Sequence, residues 1–236
     1  WLIVATVGLL ALMPMQALAG MTPEEVKMFT ETKAKAEKGD LEAHFNLAAC
    51  YAMGLGVARD QAEAVKWVRK AADKGYPMAQ FSLGNCYLNG NGVAKNLDEA
   101  ANWWRKAADQ GHPNAQFKTG LCYESGIGVP RDFVQAVSWY RKAAEQGDAD
   151  AQNNLGKCYA EGEVVPQDFV QALKWYRKAA EQGHAEALFN LGGRYYNGEG
   201  VTKDEIEAYA YWNLVRITDE DARRNLAVLE KKMSAA

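Results

Sequence analysis

The sequence predicts an all-α solenoid, a right-handed superhelix of stacked helix pairs, and three observations carry that prediction. One frame is written five times in register, starting at Leu41, Pro77, Pro113, Ala149 and Ala185, each start 36 residues after the last. A fixed period of this size marks a repeat array, in which each unit buries its apolar face against its neighbours. Each copy also holds two runs at helical spacing, in the third copy Ala115, Thr119, Gly120 and Tyr123, then Ala136, Trp139, Tyr140 and Ala143. Between the runs stands a glycine turn, there Gly126-Ile127-Gly128, and glycine ends helices because it enters the left-handed region at little cost.

From the N-terminus, residues 1–19 (WLIVATVGLLALMPMQALA) carry no charge. Leu2 to Met13 is an apolar run, and Ala17-Leu18-Ala19 before Gly20 fits a small-residue cleavage site, so a secretory signal peptide ending at Ala19 is expected. Pro14 and Gln16 interrupt a run already short for a membrane span. Trp1 is not an initiator Met and no basic stretch precedes the run, so a few further residues are expected before it. No Cys lies near the cleavage point, so no lipid anchor is expected there. The mature protein is expected to be exported, periplasmic or extracellular, with no stable membrane insertion after cleavage.

Residues 20–40 read as an N-terminal capping helix. Thr22-Pro23-Glu24-Glu25 is a capping box with proline at the first helical position, and Gly39 is the expected stop. The five repeats follow over 41–76, 77–112, 113–148, 149–184 and 185–220. Asp60, Asn96, Asp132, Asp168 and Asp204 stand where the second helix of each should be capped. The small residue before each first-helix Tyr is expected to let the second helix approach closely. Two departures occur inside the array: Thr119 replaces a core Leu, and Val164 replaces the second turn glycine, so that turn must bend differently. In the fifth repeat Tyr209, Tyr211 and Trp212 crowd the second helix, as suits a terminal repeat with a different neighbour. Residues 221–236 read as a C-terminal capping helix, with Thr218 and Asp221 at capping-box spacing and Leu226 and Leu229 as its apolar stripe.

The pattern A-x-x-x-L-G-x-x-Y, then G-x-G-V, then D-x-x-x-A-x-x-W-x-x-K-A-A-x-x-G resembles the Sel-one-like repeat, a relative of the tetratricopeptide repeat. The resemblance covers residues 41–220. It implies a tetratricopeptide-like α/α solenoid that serves as a scaffold for protein partners, without catalytic activity of its own. Exported cysteine-rich members of the family bridge a Cys near the end of one repeat to one eight residues on. Here those places read Ala72 and Gln80, Ala108 and Gln116, Ala144 and Gln152, so that disulfide framework is absent.

Composition is that of an ordinary soluble protein, 48% hydrophobic and 24% charged. The net charge of −3 gives no reason to expect a nucleic-acid partner. Cys50, Cys86, Cys122 and Cys158 share one repeat position. Neighbouring helices about 8–10 Å apart exceed the roughly 7 Å Cα separation a disulfide tolerates, so four small buried thiols are expected. His44, His112 and His184 show no metal-ligand spacing, and His112 and His184 read as solvent-facing turn residues. The paired turn glycines follow helices rather than strands and so are not phosphate loops. No cofactor or metal is expected. Arg69, Arg105, Arg141 and Arg177 each have an acid four residues on (Asp73, Asp109, Glu145, Glu181), which reads as ion pairs along an exposed helix face.

An enzymatic alternative is a cell-wall or β-lactam hydrolase, since some relatives carry that label and Lys118-Thr119-Gly120 spells K-T-G. The chain lacks the accompanying S-x-x-K and S-D-N, and the triplet falls inside a repeat helix. If the first helices line a concave face as in the tetratricopeptide relatives, its candidate residues are Phe45, Phe81, Phe117 and Phe189, with Asn153 breaking the row, and Asn85, Leu121, Lys157 and Tyr196 beside them. Aromatic side chains are good anchors for a bound peptide, but the same row could be packing between repeats. The expected function is an exported, monomeric, non-enzymatic adaptor for a protein or peptide. A secreted effector that engages host proteins is the other binding reading.

Overall fold

The computed structural model describes residues 21–233, and over them the chain forms twelve helices and no strand. The expected signal peptide at 1–19 lies outside the described residues. The chain divides into two compact units, one up to Ala107 and one from Ala108. The first contains α1 (Pro23–Glu37), α2 (Leu41–Met53), α3 (Gln61–Asp73), α4 (Pro77–Asn89) and most of α5 (Leu97–Asp109). The second contains α6 (Pro113–Ser125), α7 (Phe133–Glu145), α8 (Ala149–Glu161), α9 (Phe169–Glu181), α10 (Ala185–Asn197), α11 (Glu205–Val215) and α12 (Glu220–Met233). Within each unit successive helices pack on one another, as in an array without a single central core. No helix of the described residues is long and apolar enough to cross a membrane.

Local chemistry sets the helix ends. Thr22 and Glu25 form the reciprocal capping box of α1. The first helix of each repeat stops at a left-handed glycine, as at Gly126 with φ 72°. The chain then returns through one backbone bond, the Asp132 N–H donating to the Tyr123 carbonyl at 2.9 Å. The Asp132 carboxylate caps α7 by accepting from the Gln135 N–H at 3.0 Å. Asp60, Asn96, Asp168 and Asp204 repeat both bonds. The second turn glycine has a packing role. A β-carbon on Gly92 would fall 2.0 Å from the Gln61 carbonyl oxygen, so the turn rests on the start of the preceding second helix. Val164 stands at that place in the fourth repeat, half-buried against the core, and a cavity of about 50 Å³ lined also by Phe133 lies beside it.

Two sequence expectations need correction here. His112 and His184 are not solvent-facing: both are half-buried N-caps, their Nδ1 atoms accepting from the Ala115 and Ala187 N–H groups at 3.3 and 3.2 Å. The cap of α12 is Asp219, whose carboxylate accepts from the Ala222 N–H at 2.9 Å. Thr218 instead donates its hydroxyl back to the Val215 carbonyl. Ala222, Leu226 and Leu229 of α12 bury themselves against Trp212 and Val215.

Candidate functional site

The first repeat departs from the other four where its first helix meets its second. In four repeats a first-helix glycine faces a ring: Gly84 faces Trp104, Gly120 faces Tyr140, Gly156 faces Tyr176 and Gly192 faces Trp212. A β-carbon at any of the four would come within 2.3–2.7 Å of the ring. The ring tips are satisfied locally. Trp104 Nε1 donates to Asn85 Oδ1 at 3.1 Å, Tyr140 donates its hydroxyl to Glu124 at 2.7 Å, and Trp212 Nε1 donates to the Phe189 carbonyl at 3.0 Å. The first repeat has Ala48 and Val68 at these two places, so it lacks both the glycine and the ring. A solvent-reaching cavity of about 240 Å³ opens there, its walls formed by Phe45, Ala48, Ala52 and Val68 with Ser82 and Cys86 of the next repeat.

The candidate Phe row is half-buried on the first helices. Phe117 lies 5.8 Å from the Tyr140 ring and Phe189 lies 6.4 Å from Trp212, whereas Phe45 meets Tyr76 edge-on at 5.9 Å. Phe81 is also half-buried, on α4. Asn153, which interrupts the row, is 1% exposed and accepts from Asn190 Nδ2 at 3.1 Å. Asn85 is engaged by Trp104, Leu121 packs against the Tyr140 core, and Tyr196 packs on Trp212 at 5.6 Å. Lys157 is exposed and meets Glu186 at 3.5 Å. Phe45, Phe117, Phe189, Leu121 and Tyr196 thus share their surface between packing and solvent, Asn153 is buried, and Lys157 stays exposed.

The polar side chains between repeats are largely committed to structure. Gln80, Gln116 and Gln152 donate to the Ala72, Ala108 and Ala144 carbonyls at 3.2, 3.3 and 3.1 Å. These are the pairs of places that the cysteine-rich relatives would bridge, and here a hydrogen bond joins each pair. Gln116 and Gln152 also accept from Gln146 and Gln182. In the first repeat the two glutamines become His44 and Lys74. His44 is 4% exposed, and its Nδ1 has no partner. Burial, with Lys74 and Lys70 nearby, holds its pKa below the usual histidine value. The basic ladder is also corrected. Arg69, Arg141 and Arg177 reach the hydroxyls of Tyr87, Tyr159 and Tyr195 in the following repeat, and none forms an ion pair with the acid one turn on. Lys70, Lys106, Lys142 and Lys178 lie over the buried rings of Trp67, Trp103, Trp139 and Trp175.

The residues with potential chemistry are not arranged for it. All four thiols are free; Cys50 and Cys122 are buried, Cys86 and Cys158 half-buried, so burial is less complete than expected. Burial pushes Cys122 and Cys158 up to about 11, away from the thiolate that nucleophilic chemistry requires. Thr119 of the K-T-G triplet is buried in α6, its hydroxyl donating to the Ala115 carbonyl at 2.8 Å. That bond explains how Thr takes a Leu position in the core. No group of three or more His, Cys, Asp or Glu able to hold a metal ion occurs among the described residues.

Sequence reasoning missed two surfaces. One is the cavity of the first repeat. The other is a row of exposed apolar residues, Val134, Val170 and Ile206, one near the start of each second helix in the second unit. Their period of 36 was available in the sequence, but Val134 and Val170 each follow a half-buried Phe and read with it as one apolar pair.

Comparison with known proteins places these features in context. The Sel1 repeat model matches residues 41–76, 77–112, 113–148, 149–184 and 185–214. The structure of c5321, described as a protective antigen of uropathogenic Escherichia coli with an SLR fold, is 37% identical with a TM-score of 0.80. It covers 85% of this chain, and the chain spans 43% of it. A Sel1 repeat protein from Oxalobacter formigenes is 35% identical with a TM-score of 0.74; 86% of this chain and 59% of that one align. The chain therefore spans about half the length of these two structures. No curated protein matches it.

Proposed function

The chain belongs to the Sel1 repeat family, and on that premise we propose that it is an exported, non-enzymatic adaptor that holds a protein or peptide on the faces of its first helices. Such repeats generally mediate protein interactions. The observation that carries the choice of face is a contrast among the repeats themselves. Positions that join one helix to another keep their chemistry from copy to copy: the capping Asp or Asn, the buried Ala, and in the first four repeats the Trp under its Lys. Along the first helices the chemistry changes at every copy, through Ala49, Asn85, Leu121, Lys157 and Gly193 at one place and Met53, Asn89, Ser125, Glu161 and Asn197 at another. Packing demands uniform residues, whereas recognition of a particular partner demands different ones at each step.

In the tetratricopeptide arrangement this face is the concave one, and we assign the partner there. The adaptor acts as a monomer and uses no cofactor. Export rests on the expected signal peptide, and a relative described as a protective antigen is in keeping with it. Two experiments test the reading. Sequencing the mature N-terminus from fractionated cells should give Gly20 in the envelope or medium; an intact leader in the cytosol contradicts export. Capture from envelope extract should yield a discrete protein whose recovery falls when Leu121 and Lys157 are both changed to Glu; undiminished recovery contradicts the choice of face. The apolar row Val134, Val170 and Ile206 favours a second reading, in which a partner docks on the second helices.

A further inference from the structure

We propose that the cavity of the first repeat is an anchor pocket for one aromatic side chain of the partner, in the slot that the other four repeats fill with a ring of their own. The inference rests on the adaptor reading and adds where, and by what chemistry, the partner is held.

The third repeat, laid over the first, shows what the cavity is. The Tyr140 ring lies against Phe117 and Gly120, beneath Glu124 and beside Ala136. From the following repeat it meets Asn154, which hydrogen-bonds its hydroxyl, and Cys158. Shifted back by two repeats, these six places are Phe45, Ala48, Ala52, Ala64, Ser82 and Cys86, and all six line the cavity. The cavity is therefore the ring slot of this fold, left open because Val68 stands where the ring would begin. Ala48 in place of glycine restores only one carbon of the missing volume. The 240 Å³ that remain exceed the roughly 150 Å³ of an engineered apolar cavity that binds benzene.

The chemistry of the walls selects the occupant. No charged side chain lines the cavity, so a Lys, Arg, Asp or Glu would lose its hydration without a counter-charge. Charge complementarity thus favours an uncharged side chain, and the flat space once filled by a ring favours an aromatic one. Ser82 occupies the place from which Asn154 meets the Tyr140 hydroxyl, and offers a polar atom to an indole N–H or a phenol tip. Met53, 64% exposed at the rim, can fold over such a side chain, as a flexible thioether does at adaptable surfaces. The pocket lies between α2, α3 and α4, and Ala49 and Met53 of the first-helix face line it, so a peptide lying along that face can insert a single residue.

The test uses the protein with its methionine methyl groups isotope-labelled and N-acetyltryptophanamide as probe. Titration should shift the Met53 methyl resonance saturably. The double variant Ala48→Gly/Val68→Trp supplies the ring internally, copying Gly84 and Trp104, and Ala52→Leu, copying Leu88, narrows the mouth. With helicity unchanged, either should weaken the probe at least tenfold. A flat titration of the wild type, or saturation that survives in both variants, overturns the pocket. Partner capture separates this from the adaptor reading. Capture undiminished in the folded variants overturns the anchor and leaves the adaptor standing, whereas a wild type that captures nothing strikes the adaptor reading itself.

Discussion

The α-carbon of Gly120 lies so close to the ring of Tyr140 that a β-carbon on it would stand 2.5 Å from Cε1. This contact sets how near α6 and α7 approach, and the other three glycine-ring pairs repeat it. Gly120→Ala should therefore cost about 1–3 kcal/mol by overpacking, although alanine is the better helix former. Tyr140→Val costs stability of its own by opening a cavity, but on that background, the combination found naturally at Ala48 and Val68, the added cost of Gly120→Ala should largely vanish. Urea unfolding of the single and double variants checks both statements; a neutral Gly120→Ala contradicts the contact.

Gln152 joins two repeats by donating to the Ala144 carbonyl and accepting from Gln182. Gln152→Leu, which copies Leu188 of the fifth repeat, removes both bonds. The expected loss is about 1–2 kcal/mol, at about 1 kcal/mol for each ordinary hydrogen bond. The midpoint of urea unfolding reads it, and an unchanged midpoint argues that the glutamine ladder contributes nothing net.

His44 makes the first repeat sensitive to acid. Its folded pKa lies below the ordinary 6.5, so between the two values the unfolded chain binds the extra proton and stability rises with pH. The contribution is full above about 6.5, the unfolded value, and is lost as pH falls from there towards the lowered folded pKa. His44→Gln, which restores the residue of the next three repeats, should flatten this part of the stability profile. Thermal unfolding of both proteins between pH 5 and pH 8 decides it; equal slopes contradict the assignment to His44.

The buried Cys122 thiol, pushed up to about 11, should react slowly. At pH 8 its modification by a disulfide reagent should be at least tenfold slower in the native protein than in urea, because little thiolate exists and access is closed. Rapid labelling of the folded protein would show that α6 opens far more readily than its packing implies.

The parts of the fold legible in the sequence were those that a single helix decides. Asp132 as a cap, Gly126 as a stop and Trp139 as core follow from spacing along one element. The parts not legible depend on a neighbour. Arg69 has an acid at i+4, and pairing along its own helix was the local expectation. Its partner is Tyr87, eighteen residues on, which the stacking of the next first helix brings within reach. His112 and His184 were unexpected caps because imidazole is an uncommon residue there. The Phe row was visible as a row, but whether it faced solvent or core depended on the rings of Tyr140 and Trp212 beneath it. The pocket could not be read at all without seeing that Phe45, Ser82 and Cys86 surround one space.

The most direct test of the adaptor claim is site-specific photo-crosslinking in living cells. p-Benzoylphenylalanine placed at Met53 or at Lys157 samples the first-helix faces, and the same residue at Val170 samples the second helices. A discrete adduct with one protein from Met53 or Lys157, and none from Val170, is the predicted result. An adduct formed from Val170 alone would contradict the claim and move the binding surface to the second helices.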